Sequence, residues 1–201
     1  MHPAPKFLET DRDTLIARMA AYPFALVCAV ADGRPVVAHA PVIVSGEGVL
    51  RFHLARANPA CRAILQTGRA LVVFSGAHDY ISPDWYGLDD QVGTWNYLSV
   101  EAEGDAIPMS EADTTILLDD LSDIFEAPLA PKPAWTRAKL DPAKFTRMLT
   151  AITGFRLTPD RLEGITKLGQ YKSAEARRNV AAALKASGGD STIASMMEPD
   201  Q

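Results

Sequence analysis

Phe24-Ala25-Leu26-Val27-Cys28-Ala29-Val30-Ala31 is apolar throughout, Asp32-Gly33 follows directly, and Val36–Val44 resumes the apolar pattern. Asp-Gly between two such runs signals a tight hairpin, because both central residues of that turn take positive φ. The first run is apolar on both faces, and so is Ala70-Leu71-Val72-Val73-Phe74. An antiparallel sheet normally wets one face, so a doubly apolar strand needs cover on both. In a small barrel the inner face is the core. The outer face must then meet a helix or a second subunit, and a homodimer is the economical answer.

Further strands flank this hairpin. Ser45-Gly46-Glu47-Gly48 turns the chain into Val49–Leu54, and Ala70–Ser75 and Gly93–Ala102 follow, with a loop from Gly76 to Val92 between them. Regular short strands of this kind predict a small antiparallel barrel or sandwich, mainly β with flanking helices. Thr10 and Asp13 predict a capped helix carrying Leu15, Ile16 and Met19 and ending near Pro23. From Glu101 to Glu126 there are nine acidic residues and no Lys or Arg. Ser110 with Asp113 caps an acidic helix there (about 109–126), with Ile116, Leu117, Leu121, Ile124 and Phe125 as its apolar face. Pro128, Pro131 and Pro133 break the chain, and Lys132 to Lys185 then holds 12 basic and 4 acidic residues. That segment reads as a helix (Pro142 to Ile152), a strand (Phe155 to Leu162) and a capped helix (about 173–186). One domain is expected over 1–186, with a flexible tail over 187–201 after Gly188-Gly189.

The whole composition bounds the function. The 201 residues are 47% hydrophobic and 22% charged with a net charge of −5, enough for a full core and not basic enough for a dedicated nucleic-acid binder. No apolar run approaches membrane-spanning length, and Lys6 is followed by Glu9, Asp11 and Asp13 rather than a signal-like apolar stretch. Two cysteines, Cys28 and Cys61, fit buried thiols in a reducing compartment. A cytoplasmic protein is expected, without membrane association.

Chemistry concentrates in four stretches. In His53-Leu54-Ala55-Arg56-Ala57-Asn58-Pro59 a strand gives way to a helix, with Asn58 as N-cap and Pro59 as first helical residue. Amides at such a start attract anions, and Arg56 supplies a planar cationic fork suited to phosphate. The alternative is a solvated Arg beside an ordinary cap. Ser75–Tyr86 and Gly93–Tyr97 gather two of the three Trp and three of the five Tyr among polar partners. That mixture suits a planar heteroaromatic ligand, and equally an aromatic mini-core under a loop. Lys167-Leu168-Gly169-Gln170-Tyr171-Lys172 could reach a phosphate or a ring edge, or be a plain basic loop. Nucleophile elbows, phosphate loops and dinucleotide fingerprints are absent, and His2, His39, His53 and His78 show no metal spacing. Any chemistry would be carried by a bound cofactor.

Taken together and in this order, His53–Pro59, Ser75–Tyr86, Thr94–Tyr97 and Lys167–Gln170 resemble the PaiB-type FMN-binding negative transcriptional regulators of the flavin-binding split-barrel superfamily. The resemblance covers nearly the whole chain. It implies a homodimeric split β-barrel with FMN at the subunit interface. By that likeness the phosphate lies near Arg56 and Asn58 and the ring near Ser82, Trp95 and Asn96, with His53, Ala57 and Thr94 as further cofactor-binding residues. Lys167 and Gln170 would close the site from the partner. The family often has Pro at Gly93, a His-containing strand at Val100–Ala102 and Ser-Gln-Asn at Gly169–Tyr171, so Glu101 and Tyr171 are departures. The expected function is FMN binding with indirect regulation. Its best DNA-facing candidate, Arg177, Arg178 and Lys185, reads as a solvated face, so direct DNA binding is not expected. Alternatives on the same fold are a flavin-dependent oxidoreductase of a small substrate or nicotinamide, and a haem-handling relative. No metal site is expected.

Overall fold

The computed structural model describes residues 4–199. Their strands are β1 (Leu8–Glu9), β2 (Phe24–Ala31), β3 (Arg34–Val44), β4 (Leu50–Ala55), β5 (Arg69–Ile81), β6 (Thr94–Pro108) and β7 (Ile152–Lys167). Their α-helices are α1 (Arg12–Ala21), α2 (Pro59–Thr67), α3 (Glu111–Glu126), α4 (Pro142–Leu149), α5 (Ala174–Ser187) and α6 (Ser191–Met197). The mostly antiparallel sheet has the order β1-β7-β4-β3-β2-β5-β6, and β7 also pairs with β6.

The chain divides into two compact units. One holds Ile16–Phe74 and Glu101–Leu162; the other holds the chain up to Leu15, Ser75–Val100 and Glu163 onward. In the first, the hairpin forms as expected: β2 and β3 pair from Phe24↔Pro41 to Ala31↔Arg34, with Asp32 and Gly33 both at positive φ. Val27, Phe52, Val72, Phe74, Phe155 and Leu157 are fully buried, and Phe52 stacks on Phe155 with centroids 5.6 Å apart. The second unit has its own core of Phe7, Leu15, Ile81, Tyr86, Ile165, Val180 and Leu184.

Several expectations shift. Asp11, not Thr10, caps α1, its Oδ1 accepting from Thr14 N at 2.8 Å. β5 runs on to Ile81 through the stretch read as loop, and its burial alternation slips at Gly76-Ala77, where two successive residues are buried. His78 and Tyr80 are thereby turned outward. α3 is capped by Ser110 as expected, but it buries only Leu117 and Leu121 of its apolar set, while Ile116, Ile124 and Phe125 stay exposed. Residues 191–197 lie within the stretch read as flexible tail, yet they form α6. Asp190 caps this helix, and Ile193, Ala194 and Met197 are fully buried.

Candidate functional site

In the first unit the β4–α2 junction is built by its own residues. Asn58 takes extended backbone (φ −69°, ψ 133°) and its Oδ1 accepts from Ala60 N at 2.8 Å, so the cap uses the amide that an anion would otherwise meet. Pro59 has no N–H to offer. Arg56 is exposed and held at its root: its backbone N–H donates to Ala151 O and its Nε to Ile152 O, both 2.9 Å. Its two Nη groups have no protein partner among the described residues. The side chain is thus oriented with its charged end unspent. Ala57 is exposed in the intervening turn. Arg56 also borders a small cleft of about 20 Å³ with Thr153, whose buried Oγ1 has no partner.

His53 is next along the same strand. It lies on the outward face of β4 and lines an apolar pocket of about 410 Å³ bounded by α3, α4 and Pro41. Its Nδ1 is buried without a partner, and burial pushes the imidazole pKa down, which keeps the ring neutral.

The second unit carries the aromatic stretches. Trp95, 54% exposed, sits edge-on to Tyr80 with centroids 6.0 Å apart and tilted against His78 at 6.2 Å. Lys167 Nζ donates to Thr94 Oγ1 and to Trp95 O, and partial burial pushes its pKa down. A cavity of about 320 Å³ adjoins this row, lined by Ser75, Gly76, His78, Tyr97, Leu98 and Ser99. The structure therefore brings Thr94, Trp95 and Lys167 together. His78 and Tyr80 join them, two residues that reading the stretch as loop had left unassigned. The His-x-Tyr alternation after Gly76 was the signal.

Asn96 is buried under α6, its Nδ2 against Met197 Sδ at 3.2 Å and its Oδ1 unpartnered. Gln170 staples its own loop, accepting from Leu168 N and donating to Thr166 O and Lys6 O, so its amide is consumed by structure. Ser82 begins a short 3-10 turn over Pro83–Tyr86, and its hydroxyl makes no capping bond there. Glu101 is balanced by Arg161 at 3.2 Å. On the basic face of α5, Lys185 pairs with Glu198. No group of His, Cys, Asp and Glu fit to hold a metal occurs among the described residues, nor any helix long and apolar enough to cross a membrane.

A family model described as "Putative FMN-binding domain" matches residues 1–161. The protease synthase and sporulation protein PAI 2 of Bacillus subtilis is 28% identical over 160 residues, covering 78% of this chain and 76% of that protein. An uncharacterized protein of Emericella nidulans is 28% identical over 168 residues, covering 68% and 67%. Among solved structures, an FAD and heme binding protein from Mycobacterium smegmatis superposes with a TM-score of 0.61 at 22% identity, over 81% of this chain and 74% of that one. The flavocytochrome Anf3 from Azotobacter vinelandii gives 0.64 at 18%, over 84% and 73%. At these identities the structural likeness speaks for the fold.

Proposed function

The chain belongs to the family of the "Putative FMN-binding domain", and from that membership we propose that it holds FMN between two copies of itself. The observation that carries this reading is Arg56, fixed at Nε by Ile152 O with both Nη groups unpaired. A guanidinium so held is preorganised for two parallel bonds to a phosphate. The row of Trp95, Tyr80 and His78, edged by Lys167, supplies the apolar faces and the donor that a flavin ring needs. The two half-sites fall in different units, and a homodimer would let each protomer contribute one to a shared site. When bound, FMN supplies hydride and electron transfer that no side chain can. Any effect on transcription would then be indirect, because the net charge is −5 and Lys185 of α5 is already paired.

Arg56→Ala is expected to weaken FMN by roughly ten- to hundred-fold, the loss of a charge-assisted bidentate contact worth about 1.5–3 kcal/mol. Arg56→Lys recovers only part, since a point charge cannot make the fork. Riboflavin, which lacks the phosphate, binds wild type and Arg56→Ala equally. Fluorescence-quench titration reads all three. Equal weakening of FMN and riboflavin, or of neither, would return Arg56 to an ordinary surface residue.

A further inference from the structure

Two polar side chains of the second unit are shut beneath its surface with atoms left unbonded. Asn96 is 1% exposed and its Oδ1 has no partner; Tyr86 is 2% exposed and its Oη has none either. Asn96 Nδ2 donates to Met197 Sδ of α6 at 3.2 Å, and a thioether is a weak acceptor. A Cβ built on Gly169 would lie 3.8 Å from Tyr86 Oη and 3.9 Å from Met197 Cε, so the phenol and the Met197 side chain border one space. Burial, with Tyr171 nearby, pushes the Tyr86 pKa up and keeps its hydroxyl a donor. Successive side chains of a strand point to opposite faces, so Asn96 looks away from the exposed Trp95 row.

A buried polar atom without a partner is costly, and two of them border the side chain of one short helix. That helix has the anchorage of a removable cover. α6 is seven residues long and follows Gly188-Gly189, with Gly188 at φ +73°. Its start is tied to β5 by Asp190 N, which donates to Asp79 Oδ2 at 2.7 Å. Ile193, Ala194 and Met197 are its buried face, so lifting it bares an apolar floor that contains Asn96. The polar atoms define the occupant. Asn96 presents a donor and an acceptor side by side in one plane, and Tyr86 Oη adds a donor. A planar amide edge, N–H beside C=O, satisfies both ends of Asn96 at once. A carboxylate would set an acceptor against Asn96 Oδ1, and an ammonium would set a donor against Nδ2. We infer that α6 is a displaceable plug over a second binding site, which takes an uncharged ring compound through a carboxamide edge held by Asn96 and Tyr86. This site does not depend on the flavin reading.

The test follows amide hydrogen exchange along Thr192–Met197 in the full chain, with nicotinamide as the carboxamide probe. Nicotinate, a carboxylate in place of the amide, is the control. Bound ligands ordinarily slow exchange, whereas nicotinamide should speed it in α6 by at least about tenfold. Asp79→Ala loosens the tie of α6 without touching the site. It should bind nicotinamide roughly five- to tenfold tighter, because more of the protein is open beforehand. Met197→Ala withdraws the plug's own side chain and should act in the same direction, and Asp79→Ala covers the case in which it fails to fold. Asn96→Leu should bind at least about tenfold more weakly with an undiminished melting temperature, since an unpaired carbonyl leaves the core. Exchange in α6 that nicotinamide leaves unchanged, nicotinate acting equally, or Asn96→Leu binding like wild type overturns the inference. So does FMN lifting α6, which would make the site the flavin's own. None of these outcomes bears on the Arg56 test, and failure of FMN to bind at all would leave this inference standing.

Discussion

Gly93 shows how a single missing methylene shapes the aromatic row. A Cβ built there would lie 2.1 Å from Tyr80 Oη and 2.8 Å from its Cζ. Its φ is not in the left-handed region, so the requirement is space rather than backbone freedom. The phenol end can swing aside, and Gly93→Ala should therefore fold normally while displacing Tyr80 from the Trp95 edge. Loss of an edge contact worth about 0.5–1.5 kcal/mol predicts FMN weakened by roughly two- to tenfold, with a change in Trp95 fluorescence. Unchanged emission and affinity would mean that Tyr80 is not part of the platform. At this scale the sequence was readable where the chemistry is local. Asn58-Pro59 announces its own cap, and Arg56 stands out beside it. Gln170 and Asn96 bond to partners far along the chain, at Lys6 O and Met197 Sδ, which spacing does not disclose.

Between elements, an ionic clamp joins three strands that hydrophobic pattern alone would leave equivalent. Arg69 on β5 bonds Glu103 and Asp105 on β6 and Asp160 on β7, and Arg161 on β7 returns to Glu101 and Glu103. The arginine partners hold the carboxyls of Glu103 and Asp160 below the ordinary carboxylate range. A depressed folded-state pKa means that the stabilisation is whole above the unfolded value and is lost as pH falls through the folded one. Thermal melts of wild type and Arg69→Met should thus differ most near neutrality and converge as the pH drops below the carboxylate range. Parallel curves would show that these exposed pairs contribute nothing, as many do. The early strands were legible because they are short, apolar and bounded by Gly turns. The extension of β5 to Ile81 was hidden by the slip at Gly76-Ala77, which breaks the period on which strand reading depends. α6 was hidden by its length, since seven residues carry too little periodicity and only the Asp190 cap and its bonds to Thr192 N and Ile193 N mark it.

For the molecule as a whole, the doubly apolar strands remain the strongest argument for a partner copy. Val27 pairs with Val72 and both are fully buried, whereas Leu26 pairs with Val73 and both remain half-exposed. Beside them on the outward face stand Phe24 at 66% exposure, Val30 and Val37. Leaving so much contiguous apolar surface in water is unusual for a monomer. The register separates two effects that composition alone would merge. Val72→Asp puts a charge into the closed core of its unit, at a cost of about 3–5 kcal/mol, and should yield little folded protein. Val73→Asp changes only the outward face, so the chain should fold with an unaltered far-ultraviolet spectrum and sediment as a monomer where wild type sediments as a dimer. The monomer should also lose FMN, because the two half-sites would no longer face each other across the subunits. Wild type sedimenting as a stable monomer at micromolar concentration would remove the dimer, and a monomeric Val73→Asp that still binds FMN at wild-type affinity would remove the shared site.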